Sequence, residues 1–493
     1  MSSRFFNKNN STTNLQIFLF FCFIIIFVIK LLNTLYLSSH TDPLNYHLAM
    51  TKVLLTNSFW DTYRFNTHFL MSGMFDYLYI IPNYLFQNKF FAQLTGQLMH
   101  FNLSLGLGAL IIFKKIKNPT LALLGAIVLI TLARSSEDFL VAKNDGMLAS
   151  MALLTSIYII ESNDKHPAIV GLLLGLLPAI KMTGIFLSIP LGLIYVFQNS
   201  HSIRNILCCL FMALLAWSPI LLRNYYFLQN PFFPGLVKTL PGSIHPQAYN
   251  YYTSLMGSSF SITSLWPQIK ACFFSKIIFY LLPFAIFYNY KGQKKLNLYI
   301  IVIVVFLMIY FLTNGGVVYP RFFFSCHFIL AYYLAATLIP LIPRLKPVLI
   351  IFLLLLIICD SKIDKNIGYI KKGYHFYANA RSIKDVVNTM IPFTNFWDHI
   401  EKPTTEKIFV LSNLFTQFYY APANVYLEQP EHNFMADFLN TCETSDLHKL
   451  KRYSYAILTP GNGNPCYKKI EESGIKGPTI LGMTFYNLKT LSK

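Results

Sequence analysis

Uninterrupted apolar runs dominate the chain up to about residue 360, and short polar segments separate them. The runs follow neither the two-residue alternation of a half-buried strand nor the single apolar stripe of a surface helix. They include Leu15–Leu37, Leu121–Ala133, Ala168–Ile180, Ile185–Phe197, Ile206–Leu222, Leu296–Leu312, Phe322–Leu341 and Val348–Cys359. A bilayer-spanning helix needs about 20 mainly apolar residues, and lipid offers no water to unpaired backbone groups. The pattern therefore predicts an all-α polytopic membrane bundle.

Clusters of Lys and Arg between the runs predict the orientation, because cytoplasmic loops are enriched in these residues. They lie at Arg4/Lys8, Lys114/Lys115/Lys117, Lys165, Arg204, Lys291/Lys294/Lys295 and Arg344/Lys346. Placing them in the cytoplasm gives about eleven spans, at 15–37, 90–113, 119–133, 146–160, 167–180, 183–198, 205–222, 273–289, 297–312, 322–341 and 347–360. The N-terminus is then cytoplasmic. The segment Phe69–Phe86 could add a short or re-entrant helix.

The chain changes character after residue 360, where it becomes polar. Strand-like runs occur at Lys407–Ser412, Ser454–Leu458 and Thr479–Asn487. Helical patterns occur at Arg381–Met390, His432–Asn440 and Cys466–Ser473. We expect a transmembrane domain, 1–360, and a small extracytoplasmic α/β domain, 361–493. Cys442 and Cys466 are either a disulfide of that domain or two unpaired thiols.

Composition supports the membrane interpretation. The chain is 54% hydrophobic and 12% charged, with a mean hydropathy of +0.47, whereas soluble domains carry about 25% charged residues. The net charge of +19 is spread over loop ends, without a basic amphipathic face or an RNA-binding signature. The basic excess therefore indicates membrane orientation and not a nucleic-acid partner.

Acidic residues are placed unevenly along the chain. Residues 1–360 contain 24 Lys and Arg but only nine Asp and Glu. Six of the nine fall in the first two outside loops: Asp42, Asp61, Asp76, Glu137, Asp138 and Asp145. Later spans contribute the outside-facing cations Lys181, Arg223 and Arg321. A carboxylate can act as general base on an acceptor, and cations can hold a phosphate leaving group, so this placement predicts a transfer reaction.

Each of these candidates also has a simpler interpretation. Asp42 and Asp145 could cap helices at span ends. The three cations could extend to the interface or anchor it. Glu137, Asp138 and His47 could be ordinary solvated or interfacial side chains. No His, Cys or Asp spacing reads as a zinc site, so no metal ligand is assigned.

Five stretches resemble motifs of a known family, in the family's order. They are Asp42-Pro-Leu-Asn-Tyr-His47, Lys143-Asn-Asp-Gly146, Gly171-x3-Gly175 through Lys181-Met-Thr-Gly184, Arg223-Asn-Tyr through Asn230-Pro-Phe-Phe-Pro234, and Tyr319-Pro-Arg-Phe322. The chain thereby resembles the GT-C superfamily of membrane glycosyltransferases, in the bacterial branch related to protein O-mannosyltransferases and the aminoarabinose lipid A transferase. The likeness spans roughly residues 15–360.

The resemblance implies an inverting transfer of sugar from a polyprenyl-phosphate donor to a periplasmic lipid, glycan or protein acceptor, at the bacterial inner membrane. It gives Asp42 the role of base or substrate orienter and Asp145 that of the second acidic loop. Arg321, with Lys181 and Arg223, would grip the donor phosphate. The candidate substrate-binding residues are Tyr46, His47, Glu137 and Asp138.

The sequence departs from the family in two ways. The resemblance leaves a divalent cation open, although the first-loop motif has a single Asp and a hard cation normally needs more than one carboxylate. Gln229 replaces the usual Gly before Asn230-Pro.

Two other functions remain as alternatives. An O-antigen-type polymerase or ligase would be expected to have Arg-rich middle loops and no acid in the first loop. A transporter or flippase would be expected to have mid-bilayer charges and an inverted repeat. Neither pattern is found in the sequence.

Overall fold

The structure is a computed structural model of the chain. It describes residues 10–38, 43–56, 58–63, 67–132, 142–162, 165–244, 249–250, 252–253, 270, 286, 296–314, 320–338, 363–391, 408–411, 418–420, 455–458, 470–472, 475–480 and 483–487.

Long apolar helices form most of the chain. They are α1 Asn10–Asn33, α5 Lys89–Phe101, α6 Leu107–Lys115, α7 Pro119–Leu132, α8 Asp145–Glu161, α9 Pro167–Ile180, α10 Ile185–Gln198, α11 Ile203–Leu228, α12 Asn297–Asn314 and α13 Phe324–Leu338. A π-helical turn, Asn102–Gly106, joins α5 to α6. Three short helices of the first loop, α2 to α4, lie between α1 and α5.

Among the described residues, three helical stretches are long and apolar enough to cross a membrane, namely Thr13–Asn33, Lys89–Lys115 and Ile203–Leu228. Five shorter apolar helices have 10–17 residues: Pro119–Thr131, Pro167–Ile180, Met182–Gln198, Asn297–Phe311 and Phe324–Thr337. Each predicted span that falls on described residues coincides with a helix. The predicted span 347–360 and, apart from residue 286, the predicted span 273–289 lie outside the described residues, so the number eleven stays a prediction. The chain is an integral membrane protein built mostly of helices.

Glycine lets two of these helices approach to backbone contact. A Cβ added at Gly171 would lie 2.2 Å from the carbonyl oxygen of Cys209, and one at Gly175 would lie 2.1 Å from that of Ala213. Both pairs are spaced by four residues, so one small-residue stripe on α9 meets one face of α11. Membrane helices associate through such stripes because van der Waals contact replaces the hydrophobic effect there.

Helix α8 is held at its C-terminal end by a buried hydrogen-bonded group. The Tyr299 hydroxyl donates to Glu161 Oε1 at 2.7 Å, and the Tyr332 hydroxyl donates to both carboxylate oxygens at 2.7 and 2.8 Å. Both tyrosines are almost fully buried. The carboxylate therefore ties α8 to α12 and α13.

The first loop is helical in short pieces. A π-helical turn, Pro43–His47, leads into α2 Leu48–Thr56, and α3 Phe59–Thr62 follows. Two 3-10 turns, Thr67–Met71 and Met74–Tyr79, then precede α4 Ile80–Leu85. The predicted extra helix at Phe69–Phe86 is therefore helical but broken.

The C-terminal part combines helices with a sheet. It contains α14 Ile363–Asn379, α15 Ile383–Met390, β1 Ile408–Leu411, β2 Tyr455–Leu458, β3 Ile475–Ile480 and β4 Met483–Asn487. The sheet order is β1-β2-β4-β3, with β1 parallel to β2 and the other pairs antiparallel. The first two predicted strands coincide with β1 and β2, whereas the predicted run Thr479–Asn487 covers the end of β3 and all of β4. Residues 432–440, Cys442 and Cys466 lie outside the described residues.

The chain divides into two compact units that interleave along the sequence. The first comprises residues 1–36, 97–219 and 256–375, and the second comprises 37–96, 220–255 and 376–493. The predicted domain boundary near residue 360 stays a prediction.

Candidate functional site

Asp145 begins α8 and lies in the first compact unit. Asn144 is the N-cap residue of α8, and its side chain makes no capping bond. Asp145 is the first residue of the helix and is therefore not the cap. Its Oδ1 instead accepts from Lys181 Nζ at 2.5 Å, with the Asp145 and Lys181 side chains 3% and 17% exposed. The partial positive charge of a helix N-terminus also favours an anion there.

Lys181 stands at a break between two helices. It has extended backbone dihedrals between α9 and the 3-10 turn Met182–Gly184. The turn folds back so closely that a Cβ at Gly184 would lie 2.2 Å from the Leu177 carbonyl oxygen. Asn144 Nδ2 donates to the Ile180 carbonyl at 3.1 Å, which ties this break to the start of α8. The Lys181-Met-Thr-Gly motif thus presents the ammonium to Asp145.

Two more cations act on the same carboxylate. The charges of Arg321 and Lys143 interact electrostatically with Asp145, in addition to that of Lys181. Arg321 belongs to the 3-10 turn Pro320–Phe323 that leads into α13, and Lys143 is 1% exposed just before α8. Three of the residues proposed from sequence, Asp145, Lys181 and Arg321, therefore form one cluster, which we call the boundary cluster together with Lys143.

Gly146, the residue after Asp145, lies in close contact with the α5–α6 helix. A Cβ at this position would lie 2.5 Å from Ser104 Cβ and 3.0 Å from His100 Nε2. Ser150, one turn further on, donates to the Ser104 carbonyl at 2.6 Å. The small residue after Asp145 therefore allows the start of α8 to pack closely on the α5–α6 helix.

A second polar cluster lies in the second compact unit, around the first loop. His47 Nδ1 lies 2.7 Å from Asp76 Oδ1, with the two side chains 2% and 0% exposed. Asp76 Oδ2 accepts from the Gly73 backbone N–H at 2.7 Å. Both carboxylate oxygens of Asp76 are therefore engaged by the loop that carries His47.

Aromatic rings surround this pair. The ring of Tyr46 lies 4.1 Å from that of His47 and stacks on His68 at 5.7 Å, measured between centroids. His68 in turn meets Tyr252 at 5.9 Å, and Tyr252 meets Phe233 edge-on at 4.9 Å. The motif residues Tyr46 and His47 thus belong to a buried aromatic group.

Arg223 is buried and bonded to the first loop in the same unit. It donates to the Leu70 carbonyl at 2.7 Å and to the Tyr77 hydroxyl at 3.3 Å. Its guanidinium also lies 5.1 Å from the centre of the Tyr63 ring, and the hydroxyls of Tyr63 and Tyr77 are in contact. These contacts favour a structural role for Arg223, and its predicted role in phosphate binding stays a prediction.

Several candidates fall where the structure makes no statement. Asp42, Glu137 and Asp138 lie outside the described residues. Sequence reasoning gave no role to Asp76, because no local pattern indicates its contact with His47, which lies 29 positions earlier. It also passed over Lys30, a fully buried lysine that donates to Asn366 Oδ1 at 3.3 Å.

The described residues contain no group of three or more His, Cys, Asp or Glu side chains that could hold a metal ion. The divalent cation that the resemblance leaves open stays a prediction.

Comparison with known proteins identifies the fold. No protein-family model matches the chain, and no curated protein matches its sequence. The crystal structure of ArnT from Cupriavidus metallidurans bound to undecaprenyl phosphate is similar over 97% of this chain and 98% of ArnT, with a TM-score of 0.63 and 10% identity. The apo structure of the same ArnT is similar over 95% and 98%, with a TM-score of 0.58 and 10% identity. The chain has the fold of ArnT.

Proposed function

We propose that the chain is an integral-membrane glycosyltransferase that moves a sugar from a polyprenyl-phosphate donor to a periplasmic lipid, glycan or protein acceptor, with inversion at the anomeric carbon. The observation that carries the proposal is the boundary cluster, in which Asp145 is bonded to Lys181 and interacts with Arg321. The GT-C fold supports the same reading, since the similar ArnT structure is bound to undecaprenyl phosphate.

The cations of the boundary cluster suit a lipid phosphate as leaving group. Lys and Arg donate strong charge-assisted hydrogen bonds to phosphate oxygens, and Arg offers a planar pair of donors. As the anomeric carbon–oxygen bond breaks, negative charge grows on the phosphate, and fixed cations stabilise that charge. Arg321 and Lys181 are assigned to this role, and the assignment of Arg223 to phosphate stays a separate prediction from the sequence.

Asp145 controls the position of Lys181. The carboxylate accepts from the ammonium at 2.5 Å, so the lysine side chain is held in one position before any substrate arrives. Preorganisation of this kind means that little reorganisation is needed at the moment of transfer. Asp145 is thus a positioning residue for the phosphate-binding cations.

Two measurements test the proposed function. Surface glycans and glycolipids are compared by mass spectrometry between cells with and without the protein, and loss of one sugar substituent is expected. Binding of undecaprenyl phosphate to the purified protein is measured in detergent, and Lys181→Met is expected to weaken it. Unchanged glycans together with no lipid-phosphate binding would overturn the proposal.

Asp42 provides the first sequence-based prediction. Asp42→Asn is expected to insert and to bind undecaprenyl phosphate normally but to lower transfer at least about 100-fold, because a neutral amide neither accepts a proton nor orients a donor as a carboxylate does. Asp385→Asn, on the exposed face of α15, is the matched control. Transfer by Asp42→Asn at the wild-type rate would remove Asp42 from the site.

A further inference from the structure

Helix α14 packs against the end of the membrane helix α1. Asn366, buried in the first turn of α14, accepts hydrogen bonds at its Oδ1 from Lys30 Nζ at 3.3 Å and from Asn33 Nδ2 at 3.0 Å. The stretch Thr13–Asn33 is long and apolar enough to cross a membrane, and Asn33 is its last residue. The end of a span lies where the hydrocarbon meets the lipid headgroups. The first turn of α14 therefore lies close to a membrane–water boundary.

The contact continues along one side of α14, within the first compact unit. The ring of Tyr369 lies 5.6 Å from the ring of Tyr36, measured between centroids. A Cβ added at Gly373 would lie 3.6 Å from Tyr36 Cδ2. Asn366, Tyr369 and Gly373 are spaced by three and four residues, so they share one side of the helix. That side of α14 packs on the end of α1 and on the residues that follow it.

Another side of α14 is open. Ile367 is 39% exposed and Tyr374 is 74% exposed. Lys371 and its neighbour Lys372 are exposed as well. A Cβ added at Gly368 would meet no atom of the described residues within 4 Å. Ile367, Lys371 and Tyr374 are spaced by four and three residues, so an apolar side chain, a lysine and a tyrosine lie together on this open side.

The chain around α14 carries charge of one sign. Between Asp364 and Asp385 the sequence has five Lys and Arg residues and no Asp or Glu. Two of the five, Lys371 and Lys372, lie on α14 with their side chains exposed. A surface with cations and no carboxylate attracts anions, and the anions next to the end of a membrane span are lipid headgroups.

The residue types on the open side are those of interfacial helices. Tyrosine is enriched at membrane–water interfaces, where its ring enters the headgroup layer and its hydroxyl stays hydrated. A lysine beside it can lay its alkyl stem along apolar surface and keep its ammonium among the polar headgroups. Helices that lie in the interface combine an apolar side with Lys or Arg, and anionic lipids strengthen their binding.

We propose that α14 lies at the bilayer interface and that its open side binds anionic phospholipid headgroups. Ile367 and Tyr374 enter the boundary between headgroups and acyl chains, and Lys371 and Lys372 pair with the lipid phosphates. The inference is independent of the proposed function, because it uses no residue of the boundary cluster. It adds the surrounding bilayer as a specific partner of the chain.

The full chain is reconstituted in nanodiscs made of equal parts of phosphatidylglycerol, which is anionic, and phosphatidylcholine, which has no net charge. A photoreactive benzoylphenylalanine takes the place of Tyr374, and the adducts formed on illumination are identified by mass spectrometry. We expect lipid adducts, with phosphatidylglycerol exceeding phosphatidylcholine about fivefold, because one lysine near an anionic surface contributes about this factor.

Two double variants, each made in the photoreactive chain, test the role of the lysines. Lys371→Gln/Lys372→Gln is expected to bring the two lipid adducts to equal yield, because the headgroup charge loses its partners. Lys114→Gln/Lys115→Gln removes the same charge from two adjacent exposed lysines at the end of α6 and is the matched control. The control is expected to keep the preference for phosphatidylglycerol.

Three results would overturn the proposal. Absence of lipid adducts at position 374 would mean that α14 does not reach the bilayer. Equal yields in the chain with all its lysines, or a preference that survives Lys371→Gln/Lys372→Gln, would mean that these lysines do not recognise headgroups. Adducts with protein in place of lipid would mean that the open side binds a second chain. None of these results affects the glycosyltransferase assignment.

Discussion

The Asp145–Lys181 contact is a buried ion pair, and its energetics are asymmetric. Taking both charges out of water is costly, and their mutual attraction offsets much of that cost. Removing one partner leaves the other charged and buried, which costs more than the pair contributes. The stability of this region therefore depends on keeping or removing both charges together.

Lys181→Met is expected to destabilise the folded protein by about 3 kcal/mol, because the Asp145 carboxylate loses its bonded cation. Thermal denaturation in detergent measures the change, with Lys115→Met, an exposed lysine at the end of α6, as the control. The double variant Asp145→Asn/Lys181→Met should recover most of the stability but not the transfer activity. A single variant that unfolds at the wild-type temperature would contradict this account.

The sequence identified individual charged residues better than it identified the residues that they contact. Asp145 and Lys181 were candidates because charge at a span end is costly and rare, and both belong to one cluster. Their side chains meet across 36 positions, a separation that no local pattern encodes. Asp76 received no role from the sequence for the same reason, since its contact with His47 depends on the folding of the whole loop.

At the scale of elements, close packing of α9 on α11 depends on two missing side chains. Gly171 and Gly175 face carbonyl groups of α11, and backbone atoms cannot move aside as a side-chain end can. The contact also fixes the end of α9, where Lys181 emerges. Small residues on this stripe therefore contribute to the position of the boundary cluster.

Gly175→Ala is expected to lower stability by about 1–3 kcal/mol, the usual cost of overpacking. An added methyl group would lie 2.1 Å from the Ala213 carbonyl oxygen and must push α9 and α11 apart. Gly192→Ala is the matched control, because its Cβ would meet only Leu174 Cδ1 at 3.7 Å. Equal melting temperatures for the two variants in detergent would refute the packing argument.

Elements with strong patterns were predictable and weakly patterned ones were not. The helices from α7 to α13 follow from apolar runs that can satisfy their backbone only as helices in lipid. The first loop has no such constraint. The positions of its short helices and turns between Pro43 and Leu85 depend on contacts with residues distant in the sequence. In the tail, Thr479–Asn487 is continuously strand-like, so its pattern alone does not separate the end of β3 from β4.

At the scale of the whole molecule, the second compact unit is assembled from three distant chain segments. Tyr419, fully buried, donates to Asn83 Oδ1 at 2.7 Å, and Tyr420 donates to Gln93 Oε1 at 2.6 Å. Lys89 Nζ donates to the Tyr420 carbonyl at 3.2 Å. The short turn Phe418–Tyr420 therefore holds part of the first loop in place.

Truncation after Ile391 is expected to expose the first loop to trypsin. Without the 418–420 turn, Asn83, Lys89 and Gln93 lose hydrogen-bond partners, and local unfolding of this segment becomes easier. Limited proteolysis of membranes followed by mass spectrometry should show cleavage after Lys89 in the truncated chain but not in the full chain. Equal protection in both chains would mean that the C-terminal segment does not support the loop.

Helix α8 carries a clamped carboxylate at each terminus, Asp145 at one and Glu161 at the other. Its 17 residues span about 25 Å, so the two clamps lie about one helix length apart. A sliding step of one turn, about 5.4 Å, would break both clamps at once. We therefore expect α8 to stay in place during a catalytic cycle. Spectroscopic distance labels on α8 would then serve as a fixed reference for measuring the motion of other segments.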